Sequence, residues 1–154
     1  MQINGTMTVK KILTGLLLAL AGPLTVSAQL VIYHGHAGSP TELAVCADLQ
    51  ADLESVTGAS VQVAPEPAKI TGAGHYFVVG TPASSRLVAD MIKENKLRLQ
   101  GDGLIRTSGP ITLLAGATAE GMQNTVYDYC RTTLRIDPLR YWTGREPGKI
   151  RPAE

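Results

Sequence analysis

Apolar positions along this chain switch between two periods. Leu30-Val31-Ile32-Tyr33 is a short β-branched run and predicts a first strand. Ser39-Pro40-Thr41-Glu42 then carries the pattern of a helix start. The serine can accept from an early backbone N–H, the glutamate three residues on can return the bond, and the proline sits where a missing N–H costs nothing. That helix should run to about Thr57 and stop at Gly58, the residue best able to take a left-handed cap. Val61-Gln62-Val63 alternates as a strand, and Pro65-Glu66-Pro67 reads as a loop.

The strongest strand signal is His75-Tyr76-Phe77-Val78-Val79-Gly80, a nearly unbroken apolar run bounded by glycines and by Thr81-Pro82. Such a run predicts a central strand buried on both faces. A second helix is expected over Ser84 to Asn95, with Leu87, Val88 and Met91 at helical spacing. Gly103 to Ser108 and Pro110 to Ala115 read as a hairpin turning at Ser108-Gly109, and a third helix spans Glu120 to Arg135. The order β-α-β-β-α-β-β-α predicts an α/β class fold, a sandwich in which about three helices pack on a mixed β-sheet.

The first 28 residues belong to a different pattern. Lys10 and Lys11 precede the apolar run Ile12 to Leu20, and Val26-Ser27-Ala28 offers a small-residue cleavage site before Gln29. This is the order of a secretory signal peptide, and the run is short of the roughly 20 apolar residues that span a bilayer. The chain is therefore expected to be secreted or periplasmic. Residues 29–154 are of one-domain size. The net charge of +1 falls to −1 once Lys10 and Lys11 are removed, with no basic cluster left. That balance speaks against a nucleic acid or an anionic membrane as partner.

Export makes a disulfide between Cys46 and Cys130 chemically feasible. Both cysteines fall on apolar helical faces, Cys46 with Leu49 and Leu53, Cys130 with Met122 and Val126. The alternative is two buried thiols acting as small hydrophobes.

Candidate chemistry is sparse. His34-Gly35-His36 could share a metal if a third ligand such as His75 arrived, but it sits in the expected turn after the first strand, and a solvated loop accounts for it. Gly72-Ala73-Gly74 and Gly101-Asp102-Gly103 precede strands rather than helices, so they lack the geometry of phosphate loops. Glu42, Asp48, Asp52 and Glu54 are expected along the solvent side of the first helix, and Asp128 as a hydrogen-bonded core acid without a second acid to work with. No G-x-S-x-G elbow exists. The sequence thus predicts no catalytic residue, no metal site and no cofactor. Tyr141-Trp142, just past the last helix, could cap the core, anchor a domain interface or stack on a sugar ring.

Three stretches together carry a family resemblance. They are Ser39-Pro40-Thr41-Glu42 through Val56-Thr57-Gly58, then Phe77-Val78-Val79-Gly80-Thr81-Pro82, and finally Leu114-Ala115-Gly116-Ala117-Thr118 with Val126-Tyr127-Asp128 and Ile136 to Trp142. Their order and spacing resemble the N-terminal α/β domain that precedes the catalytic barrel in secreted glycoside hydrolases. The match looks closest to family 115 α-glucuronidases and is similar also to family 67 α-glucuronidases and β-hexosaminidases. It spans residues 29–147, leaving 148–154 as a tail or the start of a linker. The resemblance implies a non-catalytic accessory domain whose partner is a catalytic barrel missing from this chain, as in a truncated gene product. It also admits a stand-alone module that binds polysaccharide through Tyr141 and Trp142, and more remotely a metal-binding protein using His34 and His36.

Overall fold

The structure is a computed structural model that describes residues 28–137. Five strands and three helices run in the order β1 (Gln29–His34), α1 (Pro40–Thr57), β2 (Val61–Pro65), β3 (Gly74–Gly80), α2 (Arg86–Glu94), β4 (Gly103–Ser108), β5 (Ile111–Gly116) and α3 (Ala119–Thr132). The strands form one mixed sheet in the spatial order β2-β1-β3-β5-β4. Pairs β1–β2, β1–β3 and β3–β5 are parallel, and only the hairpin pair β4–β5 is antiparallel. The predicted α/β class with three helices on a mixed sheet is the architecture found.

The local signals explain why these elements form where they do. Ser39 caps α1 by accepting from the Glu42 N–H at 3.3 Å, and the Ser39 N–H donates back to the Glu42 carboxylate at 2.6 Å. Gly58 ends the helix at φ 69°, a conformation that costs a side-chain-bearing residue steric strain. Thr118 caps α3 in the same way, accepting from the Gly121 N–H at 3.1 Å. Strand β1 extends to His34 and β2 to Pro65, each past the end that the sequence reading gave it, and two helix boundaries also shift. Helix α2 starts at Arg86 because Ser85 serves as its cap, accepting from Val88 N–H at 3.1 Å. Helix α3 ends at Thr132, before Arg135, whose φ of 55° is incompatible with a continuing helix.

Strand β3 lies at the centre, buried on both faces as its apolar run requires. Its alternating side chains feed two cores. Phe77 and Val79 join Ile32, Val45, Leu49, Leu114, Met122 and Val126 beneath α1 and α3. Val78 joins Leu87, Val88, Leu113 and Ala115 beneath α2 on the opposite face. Helices therefore cover both sides of the sheet.

One connection is unusual. Residues 66–73 carry the chain from β2 over β1 to β3 without a helix, in fewer residues than the dozen or more such crossovers ordinarily use. Ile70 packs into the α2-side cluster and the Thr71 carbonyl accepts from the Tyr76 hydroxyl at 3.0 Å, so this coil lies on the α2 face.

The larger core should be the less forgiving one. Leu114 is wholly buried against both α1-side and α3-side residues, so Leu114→Ala is expected to cost about 2–5 kcal/mol, read from the urea midpoint. A loss below about 1 kcal/mol would contradict this packing.

Candidate functional site

The chain runs one way along the sheet from β1 through α1 to β2, and the other way from β3 through α2 to the β4–β5 hairpin. The reversal lies between β1 and β3. In doubly wound sheets the crevice outside the carboxyl ends of the strands at such a reversal is where ligands bind. Here that crevice holds the turn 35–38 after β1 and the turn 81–85 after β3.

The two turns are in direct contact. A Cβ on Gly35 would collide with the Ser84 carbonyl, and the Ala37 N–H donates to that same oxygen at 3.3 Å. Only glycine permits this approach. The Ser84 hydroxyl accepts from the Thr81 N–H at 3.0 Å and donates to the Glu42 carboxylate. Glu42 is buried, so its side chain bonds its own helix cap and the opposite turn at once.

A second buried carboxylate, Glu66, closes the crevice from the β2 side. It accepts from the Ser85 hydroxyl at 2.6 Å, the Arg86 N–H at 2.9 Å and the Leu87 N–H at 3.0 Å. The two N–H groups are first-turn donors of α2, which a helix N-terminus would otherwise offer to a phosphate. The Glu66 N–H meanwhile donates to the His34 carbonyl at 2.8 Å. Burial alone would raise the Glu66 carboxyl, but the Ser85, Leu87 and Arg86 donors, with the charge of His36, together hold it below the ordinary carboxylate value.

The arrangement is self-satisfied. Among the described residues no buried side-chain nitrogen or oxygen lacks a partner. Glycoside hydrolysis by a carboxylate pair needs one acid with a raised pKa, whereas Glu66 is shifted the other way. The crevice is built to hold the fold closed.

The sequence-predicted residues are scattered. His34 closes β1 instead of lying in the turn, and its Nδ1 sits 3.0 Å from the Gly35 carbonyl. His75 lies at the opposite end of the sheet, paired in register with Leu30, and its Nε2 meets the Thr112 hydroxyl at 2.9 Å. Burial lowers its pKa. The three histidines thus do not converge, and no group of three or more His, Cys, Asp or Glu among the described residues could hold a metal ion. Glu42 and Asp52 are buried, not on the solvent side of α1 as the charge pattern suggested. Asp128 is exposed and paired with Arg131 at 2.6 Å, so it is no core acid.

Cys46 and Cys130 both enter the α1–α3 core and are present as thiols. Burial, then the nearby Glu42 charge, pushes the Cys46 thiol up to about 12, which leaves it inert as a nucleophile. Tyr141 and Trp142 lie outside the described residues.

One open feature escaped the sequence reading. A cleft of about 500 Å³ lies between β4 and the first half of α3, lined by Gln100, Asp102, Leu104, Ile105, Asn124 and Asp128 among others. Gly103 and Thr125 meet in its wall, where a Cβ on Gly103 would collide with the Thr125 hydroxyl.

No protein-family model matches this chain, and no curated protein matches it either. Solved structures do. The chain is similar to a family GH115 4-O-methyl-α-glucuronidase, BtGH115A, with specificity for decorated arabinogalactans, at 18% identity and TM-score 0.61. It is similar also to CpGH84D, a GH84 glycoside hydrolase, at 10% identity and TM-score 0.56. The first match covers 82% of this chain and 16% of the other, the second 71% and 18%. The chain therefore spans under a fifth of either neighbour's length, and at these identities the likeness is one of fold.

Glu66 should make stability pH-dependent in a defined direction. Its folded pKa lies below the unfolded value of about 4.3, so its contribution is present above that value and is lost as pH falls through the folded pKa. Glu66→Gln keeps the shape, removes the charge and turns an amide NH2 toward one of the two backbone donors, Arg86 or Leu87. It is expected to cost about 1–3 kcal/mol at pH 7 and to flatten the fall in urea midpoint between pH 6 and pH 3. Parallel curves for the two proteins would show that the carboxylate contributes nothing.

Proposed function

We propose that this chain is a non-catalytic support domain of a secreted carbohydrate-degrading glycoside hydrolase, one that packs against a separate catalytic barrel. The observation that carries the reading is the fold likeness. Most of this chain lies on a small part of each of two glycoside hydrolases. The crevice agrees with it. A doubly wound sheet that used its switch point for ligands would leave α2's N-terminus open, and Glu66 occupies it. An enzyme acting by paired carboxylates would hold one of them protonated near neutrality, and Glu66 stays charged. The signal-like segment 1–28 supports a secreted or periplasmic setting.

The alternative is a self-sufficient carbohydrate-binding module with Tyr141 and Trp142 as its stacking platform. Trp142 is the only tryptophan, so its fluorescence reports on that platform directly. Titrating the full chain with xylan and chitin oligosaccharides should give no saturable change under the support-domain reading. A saturable shift abolished by Tyr141→Ala would favour the binding module. Sequencing the gene beyond the Glu154 codon completes the test. A downstream barrel-coding region is expected, and its absence would count against the support role.

A further inference from the structure

Helices α1 and α3 pack side by side on one face of the sheet. Two packed helices cover roughly 20 Å, whereas five strands at about 4.8 Å spacing span roughly 24 Å. The shortfall falls on β4, the edge strand beside α3, whose residues from Ile105 to Ser108 are exposed. Ile105 pairs in register with Leu114, a member of the core beneath these helices, so its side chain lies on that same face. At 38% it is one of the large apolar side chains left open to solvent among the described residues. The trench between β4 and α3 is the cleft of about 500 Å³, within the range of about 300–1,000 Å³ that small-molecule sites occupy.

Two stretches of chain build the walls, and both are held in place. Helix α3 presents Gly121, Asn124, Thr125 and Asp128, whose spacing of three and four residues sets them along one face. The turn before β4 supplies Gln100 and Asp102. The Asp102 carbonyl accepts from the Ala117 N–H at 2.9 Å, and the Gly103 N–H turns back to the Gln100 carbonyl at 3.3 Å. Gly121 lets this turn approach the helix, since a Cβ there would collide with the Asp102 carbonyl. Thr125 fills the space against Gly103 and donates its hydroxyl to the Gly121 carbonyl at 2.8 Å, so that corner needs no ligand.

The rest of the lining is open to a ligand. Among the described residues the side chains of Gln100, Asp102 and Asn124 make no hydrogen bond, unlike the joined carboxylates of the crevice between β1 and β3. An amide both donates and accepts, as a sugar hydroxyl does, and a carboxylate accepts. No Lys, Arg or His lines the cleft, and the Asp102 charge would repel an anion. Asp128 is already paired with Arg131 at 2.6 Å, and no group of three or more His, Cys, Asp or Glu among the described residues could hold a metal ion. A neutral, hydroxyl-rich ligand therefore suits this lining better than an anion or a cation. We infer that the cleft is a binding site for neutral saccharides, with Gln100, Asp102 and Asn124 bonding ring hydroxyls and the C–H face of the sugar resting on Ile105. No aromatic ring lines it, so the expected Kd is weak, about 1 mM. The choice of a sugar among polyhydroxyl compounds rests on the carbohydrate-directed function proposed above.

The test is amide NMR of the full chain titrated with xylobiose and with diacetylchitobiose. At least one of them should shift the Leu104, Ile105, Asn124 and Thr125 signals saturably. Glucose should shift the same signals, and glucuronic acid, which differs from it by a carboxylate, should bind at least about fivefold more weakly. Asn124 is exposed and its side chain unpaired, so Asn124→Ala should fold as the parent does and weaken binding about tenfold. Signals from the cleft that stay still with both disaccharides at about 30 mM would overturn the inference. So would an Asn124→Ala protein that binds as tightly as the parent, or glucuronic acid binding as tightly as glucose. A silent cleft would leave the support-domain reading standing on the gene sequence beyond Glu154, and a responsive cleft without a downstream barrel would do the reverse.

Discussion

The contact on which the rest depends is the Glu66 carboxylate seated on the first turn of α2. The crossover from β2 to β3 has no helix to hold it against the sheet, and coil alone buries too little to offset the entropy of ordering it. Glu66 supplies the missing fixation. It ties the start of the coil to three donors of α2, its own N–H ties it to the end of β1, and Arg86 holds the next turn by donating to the Ala68 carbonyl at 2.8 Å. Hydrogen bonds to a charged group contribute about 1.5–3 kcal/mol each. Three of them on one buried carboxylate are enough to decide which way this loop lies.

The same contact bears on function. Open α/β sheets offer ligands the strand ends at the switch point and the helix N-termini around it. In this chain Glu42 and Glu66 take both positions, and the Gly35 turn packs on the Ser84 carbonyl between them. The apparatus that elsewhere binds nucleotides is used here to weld the top of the sheet. The proposed supporting role makes no use of this crevice, whose donors and acceptors are already joined to one another.

Much of the frame was legible in the sequence because it rests on local signals. The capping box at Ser39 and Glu42, the glycine cap at Gly58 and the apolar run of β3 each act over a few residues, and each was found where expected. The site was less legible because it joins residues far apart in the chain. Glu66 sits between two prolines and reads as loop, while its donors come some twenty residues later. Glu42 announced itself as a capping residue but not as the partner of Ser84. The buried position of Asp52 was hidden because charge on a helix ordinarily marks its solvent face. The histidines failed as a cluster for the opposite reason. His34 and His36 are near neighbours in sequence, but parallel pairing sends His75 to the far end of the sheet.

The central claim is that Glu66 is a buried, ionised carboxylate bonded to the N-terminus of α2. Carbon-detected NMR titration of the Glu66 side-chain carboxyl tests it directly, with the Arg86 and Leu87 amide shifts followed in the same samples. The account predicts a midpoint below that of an ordinary glutamate, with both amide signals moving at the same pH. A midpoint at or above the ordinary value, or amides indifferent to the titration, would contradict it.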